Sequence, residues 1–217
     1  MTVPRQIILA SKSPRRRSLV KELNINVVCV DTNFEESTQK TLEDPRNYVM
    51  RLAIDKADSI SSDYPNALII GADTTVVLSN RVMGKPQNSK EASEMLNSLR
   101  GKTHKVLTGV TVLDVITGRY INSVVSSLVS MHTLSTELIS DYVKSGSPMD
   151  KAGAYGIQDN DFDLATVLQG CYNNVVGLPL CTLSEMLRKF RITPRIDTTS
   201  IVTINCHDCP LNKAYTE

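Results

Sequence analysis

The sequence that decides the fold is QIILASKSPRRRSLVKEL, residues 6–23. It opens with a short apolar run of the strand type, and the apolar spacing that ends in Leu19 and Leu23 is helical. Between them, Ser13 is a favourable N-cap residue and Pro14 suits the first helical position, because proline has no amide hydrogen to lose there. The stretch therefore predicts a strand that leads through a tight loop into the N-terminus of a helix.

The same alternation of β-rich runs and amphipathic helical segments continues along the chain. Further strands are predicted at residues 26–30 and 67–70, and a long antiparallel pair at residues 106–113 and 120–131. Helices are predicted to begin at Asp44-Pro45, Ser89, Ser135 and Pro179. This order is typical of an α/β or α+β layered domain.

The overall charge does not favour a polyanionic partner. The 217 residues include 24 Lys and Arg against 23 Asp and Glu, a formal net charge of +1. This balance does not drive binding to nucleic acid or to an anionic membrane, so neither is expected as a partner. No apolar run approaches the roughly 20 residues that span a bilayer, and the N-terminus lacks the features of a secretory signal. We therefore expect a cytoplasmic protein in which any anion site is local.

The loop at residues 11–16 is the first candidate binding site. A strand that leads into a helix N-terminus presents free amide groups and the positive end of the helix dipole, and Arg15 and Arg16 add donors that suit phosphate oxygens. Ser11 is the first residue of this loop. The alternative is an ordinary capped helix with solvated arginines, and the motif alone favours that alternative because serine–proline helix starts are common.

Two acidic residues that follow predicted strands form the second candidate site. Glu36 lies in the loop after residues 26–30, and Asp73 follows the apolar run at residues 67–70. Ligands of open α/β sheets usually bind at the carboxyl ends of strands, and carboxylate oxygens suit Mg²⁺ or Mn²⁺. The alternative is that these residues are caps or surface charges. The apolar run before Asp73 favours partial burial, and therefore a function, for that residue.

Three further polar residues are weaker candidates. Lys56 is predicted on the inner face of a helix and Lys85 in a loop, where both could neutralise an anion, although lysines are normally solvated. Gln158 ends the segment DKAGAYGIQ, residues 150–158. Its amide could donate to and accept from the edge of a base. Composition alone favours the alternative for this segment, a glycine-rich connector with a buried tyrosine.

Six motifs, in this order and spacing, resemble the Maf family of nucleotide pyrophosphatases. They are LASKSPRR (9–16), GADTTVV (71–77), GKP (84–86), THKVLTGV (103–110), DKAGAYGIQ (150–158) and NVVGLPL (174–180). Any one of them could arise by chance, whereas all six in order are highly specific. The resemblance covers residues 6–190. It implies a domain at residues 1–190 and a C-terminal extension of unknown role at residues 191–217.

The resemblance implies an α/β fold in which a mixed, twisted sheet is flanked by helices and two lobes surround a deep cleft, similar to that of inosine triphosphate pyrophosphatases. It also implies a homodimer and a divalent cation, Mg²⁺ or Mn²⁺. The implied reaction is hydrolysis of dTTP, UTP or a modified pyrimidine triphosphate to the monophosphate and pyrophosphate, with a housecleaning role in the nucleotide pool.

Residue roles follow from the same resemblance. Asp73 resembles the proton acceptor of the family, and Glu36 and Asp73 are the implied metal ligands. The residues that match substrate-binding positions are Ser11, Arg15, Arg16, Lys56, Thr74, Lys85 and Gln158.

Two alternatives stay open at this point. One is a nucleotide-binding regulator of cell division or septum formation, against which the complete set of charged residues argues. The other is a pyrophosphatase for N7-methyl-GTP, against which Thr74 and Gln158 argue. The chain also departs from the family pattern, because Asp159-Asn160-Asp161 follows Gln158 where glycines are usual. This departure bears on base specificity.

Overall fold

The fold is built around one β-sheet. The computed structural model of the protein describes residues 5–32, 34 and 39–196. The strands are β1 (Ile7–Ala10), β2 (Val27–Val30), β3 (Leu68–Leu78), β4 (Arg81–Met83), β5 (Thr103–Asp114), β6 (Arg119–Met131) and β7 (Ala165–Gln169). The α-helices are α1 (Pro14–Lys21), α2 (Pro45–Asp58), α3 (Ser89–Leu99), α4 (Thr136–Lys144), α5 (Tyr172–Val176) and α6 (Leu180–Arg188). Short 3₁₀ helices lie at Ser61–Asp63, Ser147–Asp150 and Ala152–Ala154.

The sheet is mixed. Strand β1 lies between β2 and β3 and runs parallel to both, whereas β3, β5, β6 and β7 follow one another in antiparallel pairs. The order is β2-β1-β3-β5-β6-β7, with the short β4 paired to β3. Parallel neighbours need a long connection, which here contains α1 or α2, while a turn suffices between antiparallel strands. The predicted mixed sheet flanked by helices is confirmed.

Helices α1 and α2 begin at the residues that sequence predicts. Ser13 Oγ accepts a hydrogen bond from the amide of Arg16 at 3.4 Å, and α1 begins at the next residue after Ser13. At the start of α2, Asp44 Oδ1 accepts from the amide of Arg46 at 2.8 Å. Each cap satisfies an amide that has no partner within its own helix. Strand β1 therefore leads through residues 11–13 into the N-terminus of α1.

Strand β3 is long enough to pass through two apolar cores. The first core joins the early part of β3 to α1 and α6, and it includes Ile70 and Leu183. The second core joins the late part of β3 to α3 and α4, and it includes Val76 and Leu96. Asp73 lies on β3 between Ile70 and Val76, where the two lobes meet. The prediction that Asp73 follows the end of a strand is wrong, because the strand continues to Leu78. The predicted division into two lobes is confirmed.

Helix α2 packs closely on the sheet because glycines face it. A Cβ atom at Gly71 would lie 2.1 Å from the carbonyl oxygen of Ala53, and one at Gly109 would lie 2.4 Å from that of Val49. No side chain fits at such a distance, so glycine is what allows the helix and strand backbones to come this close. Lys56, one helical turn beyond Ala53, is thereby brought against β3.

The last described residues pack on the first lobe. Ile196 is buried in the first core. The amide of Arg195 donates to the carbonyl of Leu23 at 2.9 Å, and its own carbonyl accepts from the side-chain amide of Asn24 at 2.8 Å. The rest of the predicted extension, residues 197–217, lies outside the described residues. No helix in the described part of the chain is long and apolar enough to cross a membrane.

Candidate active site

A cleft with a cavity volume of about 530 Å³ opens between the two lobes, beside the middle of β3. Residues of both lobes line it. Among them are the predicted catalytic and substrate-binding residues Ser11, Arg15, Arg16, Lys56, Asp73, Thr74, Lys85 and Gln158. Glu36, the predicted second metal ligand, lies outside the described residues. Residues that are distant in the sequence therefore share one cavity.

A buried ion pair joins helix α2 to the middle of β3. Lys56 Nζ donates to Asp73 Oδ1 at 2.6 Å, and each side chain is only 8% exposed. Charges taken out of water need close partners, because desolvation costs several kcal/mol per ion. The pair therefore holds the Asp73 carboxylate in one position in the cleft.

Arg16 is fixed by its guanidinium group. Nε donates to the carbonyl of Gly177 at 2.8 Å, and Nη2 donates to Thr74 Oγ1 at 2.9 Å. Thr74 Oγ1 also lies 3.0 Å from Thr108 Oγ1, and Thr108 donates to the carbonyl of Asn174 at 2.9 Å. A planar guanidinium held at two points is well ordered before any ligand binds. Sequence reasoning missed Thr108, although it lies within a quoted motif.

Arg15 bridges the cleft to the second lobe. Its Nη1 donates to Asp150 Oδ2 at 2.7 Å, and its Nη2 donates to the Asp150 carbonyl at 3.2 Å. Burial opposes ionisation of Asp150, but hydrogen bonds from Lys151 and Arg15 outweigh it and lower the pKa of this carboxyl. The Asp150 side chain is 57% exposed, so water screens the ion pair and its contribution to stability is small. An incoming anion can therefore compete with Asp150 for Arg15.

Ser11 shapes the loop before α1. It is buried, and its Oγ accepts from the amide of Ser13 at 3.2 Å. Arg17 Nε donates to the Ser11 carbonyl at 2.9 Å from within the helix. These bonds hold the loop beside the cleft, at the positive end of the α1 dipole.

Lys85 and Gln158 line the cleft from the second lobe, and both are exposed. The loops that carry them are joined, because the amide of Gly153 donates to the carbonyl of Gly84 at 2.9 Å. Tyr155, which lies between Gly153 and Gln158, is buried. The segment is therefore a connector with a buried tyrosine and also a wall of the cleft, so the two interpretations of its sequence are compatible.

Sequence reasoning missed a polar cluster beside Gln158, of which Lys151 and Asp159 line the cleft. Lys151 Nζ donates to the carbonyl of Ser147 at 2.6 Å and lies 3.5 Å from Asp159 Oδ2. Asp159 Oδ2 accepts from Ser147 Oγ at 2.9 Å and from the Tyr142 hydroxyl. Burial, together with this contact to Asp159, raises the pKa of Tyr142. In the sequence, the signal for this cluster was Lys151, a charged residue that directly precedes the small and apolar residues 152–157.

A second missed pair lies behind the cleft wall. His104 is 2% exposed, and its Nε2 lies 2.6 Å from the hydroxyl oxygen of Tyr155. The two rings meet edge to face with their centroids 5.3 Å apart. Desolvation by burial lowers the pKa of His104 to about 4 and raises the pKa of Tyr155. Both side chains are therefore neutral at pH 7.

The donor set suits a cation that binds together with its substrate. In the described part of the chain, no three His, Cys, Asp or Glu side chains come together as a metal site. Asp73 Oδ1 accepts from Lys56, while no described residue donates a hydrogen bond to its Oδ2. Mg²⁺ in phosphate-processing sites commonly uses one or two carboxylates, with water and substrate phosphates as its other ligands. Asp73 fits such a site.

Family comparison covers the part of the chain that forms both lobes. The family model described as Maf-like protein matches residues 6–190. The chain belongs to the Maf-like protein family. The resemblance based on six motifs is confirmed, and every described cleft residue of this Maf-like protein falls within the matched range.

Curated relatives are similar over most of their length. The dTTP/UTP pyrophosphatase of Dictyoglomus thermophilum is 43% identical over 185 residues, which are 85% of this chain and 96% of that protein. A protein of the same name from Clostridium botulinum (strain Kyoto / Type A2) is 41% identical over 191 residues, 87% of this chain and 98% of the relative. Another, from Clostridioides difficile, is 39% identical over 184 residues, 85% and 94% of the two chains.

Among solved structures, protein VC0702 from Vibrio cholerae is similar with a TM-score of 0.33 and 12% sequence identity. The similarity covers 66% of this chain and 72% of that one. A likeness at this level is too distant to support an argument about function.

Proposed function

We propose that this protein hydrolyses dTTP and UTP to the nucleoside monophosphate and pyrophosphate. The observation that carries the proposal is the buried contact of Lys56 with Asp73 in a cleft that Arg15 and Arg16 also line. A fixed carboxylate beside several cations suits the attack of water on a polyphosphate. The names of relatives that are 39–43% identical support a pyrimidine triphosphate as the substrate.

Cationic side chains neutralise the triphosphate in this proposal. Arg16 is already held by Thr74 and Gly177, so little ordering remains to be done when a phosphate binds. Arg15 exchanges the exposed carboxylate of Asp150 for phosphate oxygens. Lys85 adds a cation from the facing lobe.

Asp73 acts as the proton acceptor. Lys56 holds its Oδ1, while Oδ2 is available to accept a proton from a water molecule. The water oxygen forms a bond to the α-phosphorus, and the bond from that phosphorus to the oxygen bridging the α- and β-phosphates breaks, so that pyrophosphate leaves. Charge in such a transition state is spread over phosphate oxygens, which makes positioning and electrostatic stabilisation the main catalytic effects.

A divalent cation, Mg²⁺ or Mn²⁺, forms part of the proposal. Asp73 would hold it together with Glu36, which belongs to the loop outside the described residues. When bound, the cation polarises phosphate oxygens and makes a bound water more acidic.

Gln158 selects the base in this proposal. Its side chain is exposed in the cleft, and an amide can pair with both a donor and an acceptor on a pyrimidine edge. A base that leaves the amide unpaired would bind less well, because an unsatisfied polar group is costly. Thr74 contributes by holding Arg16 rather than by standing free in the cleft.

The proposal is tested by offering the purified protein a panel of triphosphates with Mg²⁺ or Mn²⁺ and identifying the products. We expect pyrophosphate and monophosphate from dTTP and UTP, and slower turnover of CTP, GTP and N7-methyl-GTP. Release of orthophosphate, or no turnover of any triphosphate, would contradict the proposal. A preference for N7-methyl-GTP would favour the alternative, a pyrophosphatase for N7-methyl-GTP.

We further propose that the catalytic domain spans residues 1–190, with residues 191–217 as an extension, and that the protein is a cytoplasmic homodimer. The family resemblance supports the dimer. Light scattering of the purified protein should give a mass close to twice 23.9 kDa.

A further inference from the structure

The turn that carries Gln158 is attached at both ends to one hydroxyl group. The Tyr142 hydroxyl accepts from the amide of Gly156 at 3.1 Å and donates to Asp159 Oδ2. The amide of Asp159 donates to the carbonyl of Gly156 at 3.2 Å, which closes a turn with Gln158 at its third position. Because Tyr142 is buried on α4, the turn is tied to the core of the second lobe.

The Asp159 carboxylate also contacts donors outside this turn. Its Oδ2 accepts from Ser147 Oγ at 2.9 Å and lies 3.5 Å from Lys151 Nζ, and its side chain is 19% exposed. A Cβ atom at Gly156 would lie 2.7 Å from the same oxygen, so the carboxylate occupies space that glycine leaves open. Hydrogen bonds to an ionised group are shorter and stronger than neutral ones. The conformation of the turn is therefore held mainly through Asp159.

Gln158 has no comparable anchor of its own. Its carbonyl accepts from the amide of Asn160 at 2.9 Å, and among the described residues its side-chain amide has no hydrogen-bond partner. The direction of that amide in the cleft thus depends on the neighbours that fix the turn.

We infer that Asp159 is a specificity-determining positioning residue, which sets how Gln158 meets the base of a bound nucleotide. The inference rests on the proposed function, because it takes Gln158 as the residue that reads the base. Asp159 acts through Gln158 and not on the reacting phosphate. Its loss should therefore reduce discrimination between bases more than it reduces affinity for the triphosphate common to all of them.

The experiment compares Asp159→Ala with Asp161→Ala. Asp161 lies two residues further in the same loop, is exposed and has no hydrogen bond or ion pair with the described residues, so its replacement removes an equal charge without touching the turn. The dissociation constants of non-hydrolysable α,β-imido analogues of UTP and CTP are measured for each variant. The preference for UTP is the dissociation constant of the CTP analogue divided by that of the UTP analogue. We expect this ratio to fall roughly tenfold in Asp159→Ala, the net contribution of about one hydrogen bond, and to stay unchanged in Asp161→Ala.

A double variant separates positioning from a general structural role. In a Gln158→Ala background, Asp159→Ala should change the affinity ratio no further. The inference would be overturned if Asp159→Ala weakened the binding of both analogues equally, or if it lowered the ratio further in the Gln158→Ala background. Equal affinities of the unsubstituted protein for the two analogues would also overturn it. If Asp159→Ala does not fold, Tyr142→Phe replaces it, because this variant removes the hydroxyl that bonds to both Gly156 and Asp159. The same fall in the affinity ratio is then expected for Tyr142→Phe.

The proposed function is tested by a different measurement, the release of pyrophosphate by the unsubstituted protein. If no pyrophosphate is released, the proposed function is wrong. Because the ratio is measured with analogues that are not hydrolysed, it decides the role of Asp159 in either case.

Discussion

Lys56 Nζ lies 2.6 Å from Asp73 Oδ1, with both side chains nearly closed off from water. The contact exists because α2 comes close to the sheet at Gly71 and Gly109, where a side chain would collide with the helix backbone. Packing of the first lobe and the chemistry of the cleft are therefore linked.

Asp73→Asn should retain the fold and lose most turnover. The amide keeps an oxygen that can accept from Lys56, whereas it cannot take a proton from water. Loss of a general base typically lowers rates by about 10²–10⁴-fold. Pyrophosphate release from UTP, followed alongside thermal unfolding, measures both effects. Retained hydrolysis in a folded variant would remove Asp73 from the mechanism.

Lys56→Met should destabilise the protein by about 3 kcal/mol, because it leaves the Asp73 carboxylate buried without its partner. Urea unfolding at pH 7 measures the change in free energy of unfolding. The double variant Lys56→Met/Asp73→Asn should recover part of the loss, since the isolated charge is then gone. A double variant no more stable than Lys56→Met would contradict this explanation.

Arg16→Lys should raise the KM for UTP by about tenfold, the net contribution of about one hydrogen bond, while changing stability little. A lysine cannot donate to Gly177 and Thr74 in the fork geometry that orients the guanidinium. The matched control is Lys21→Arg, because Lys21 lies on the same helix, is exposed and does not line the cleft. An equal rise of KM in both variants would indicate a general effect of α1.

Gly109→Ala should lower the free energy of unfolding by about 3 kcal/mol, the upper range for an overpacked core. Its new methyl group would meet the carbonyl oxygen of Val49 at 2.4 Å, so α2 must move away and carry Lys56 with it. The control is Gly84→Ala, whose Cβ would have no atom within 4 Å. Urea midpoints compare the two variants. Equal stability would show that the close approach of α2 is not required.

Acidification should destabilise the protein through His104. Burial lowers the pKa of this residue from its usual 6.5 to about 4 in the folded state. Between these values the unfolded chain binds a proton that the folded chain does not, so stability present above pH 6.5 is lost as the pH falls toward 4. The expected loss is about 3 kcal/mol.

The pH prediction is checked by urea unfolding at several pH values between 7 and 4. His104→Gln keeps a polar group next to Tyr155 but does not titrate, so its stability should depend less on pH in this window. Parallel profiles for the two proteins would exclude His104 as the cause.

Much of the region around the cleft can be predicted from sequence because the signals are local. A cap such as Ser13 and a helical apolar period such as that of α2 involve residues within a few positions of one another. Helical spacing was enough to place Lys56 on the inner face of its helix. Thr74 could not be assigned a role in this way, and only the family resemblance singled it out. For Gln158 the amide chemistry suggested a contact with a base, but composition alone favoured a connector.

The sequence by itself determined the order of most of the strands and helices, the start of α1 and the apolar faces that form the two cores. Only the tertiary structure decided which polar groups meet: Lys56 with Asp73, Arg15 with Asp150, and Tyr142 with Asp159. The physical reason is that periodicity specifies which face of an element is buried, while a hydrogen bond needs two particular atoms about 3 Å apart. That distance is set by strand register and by how closely α2 approaches the sheet, and both depend on residues far apart in the chain.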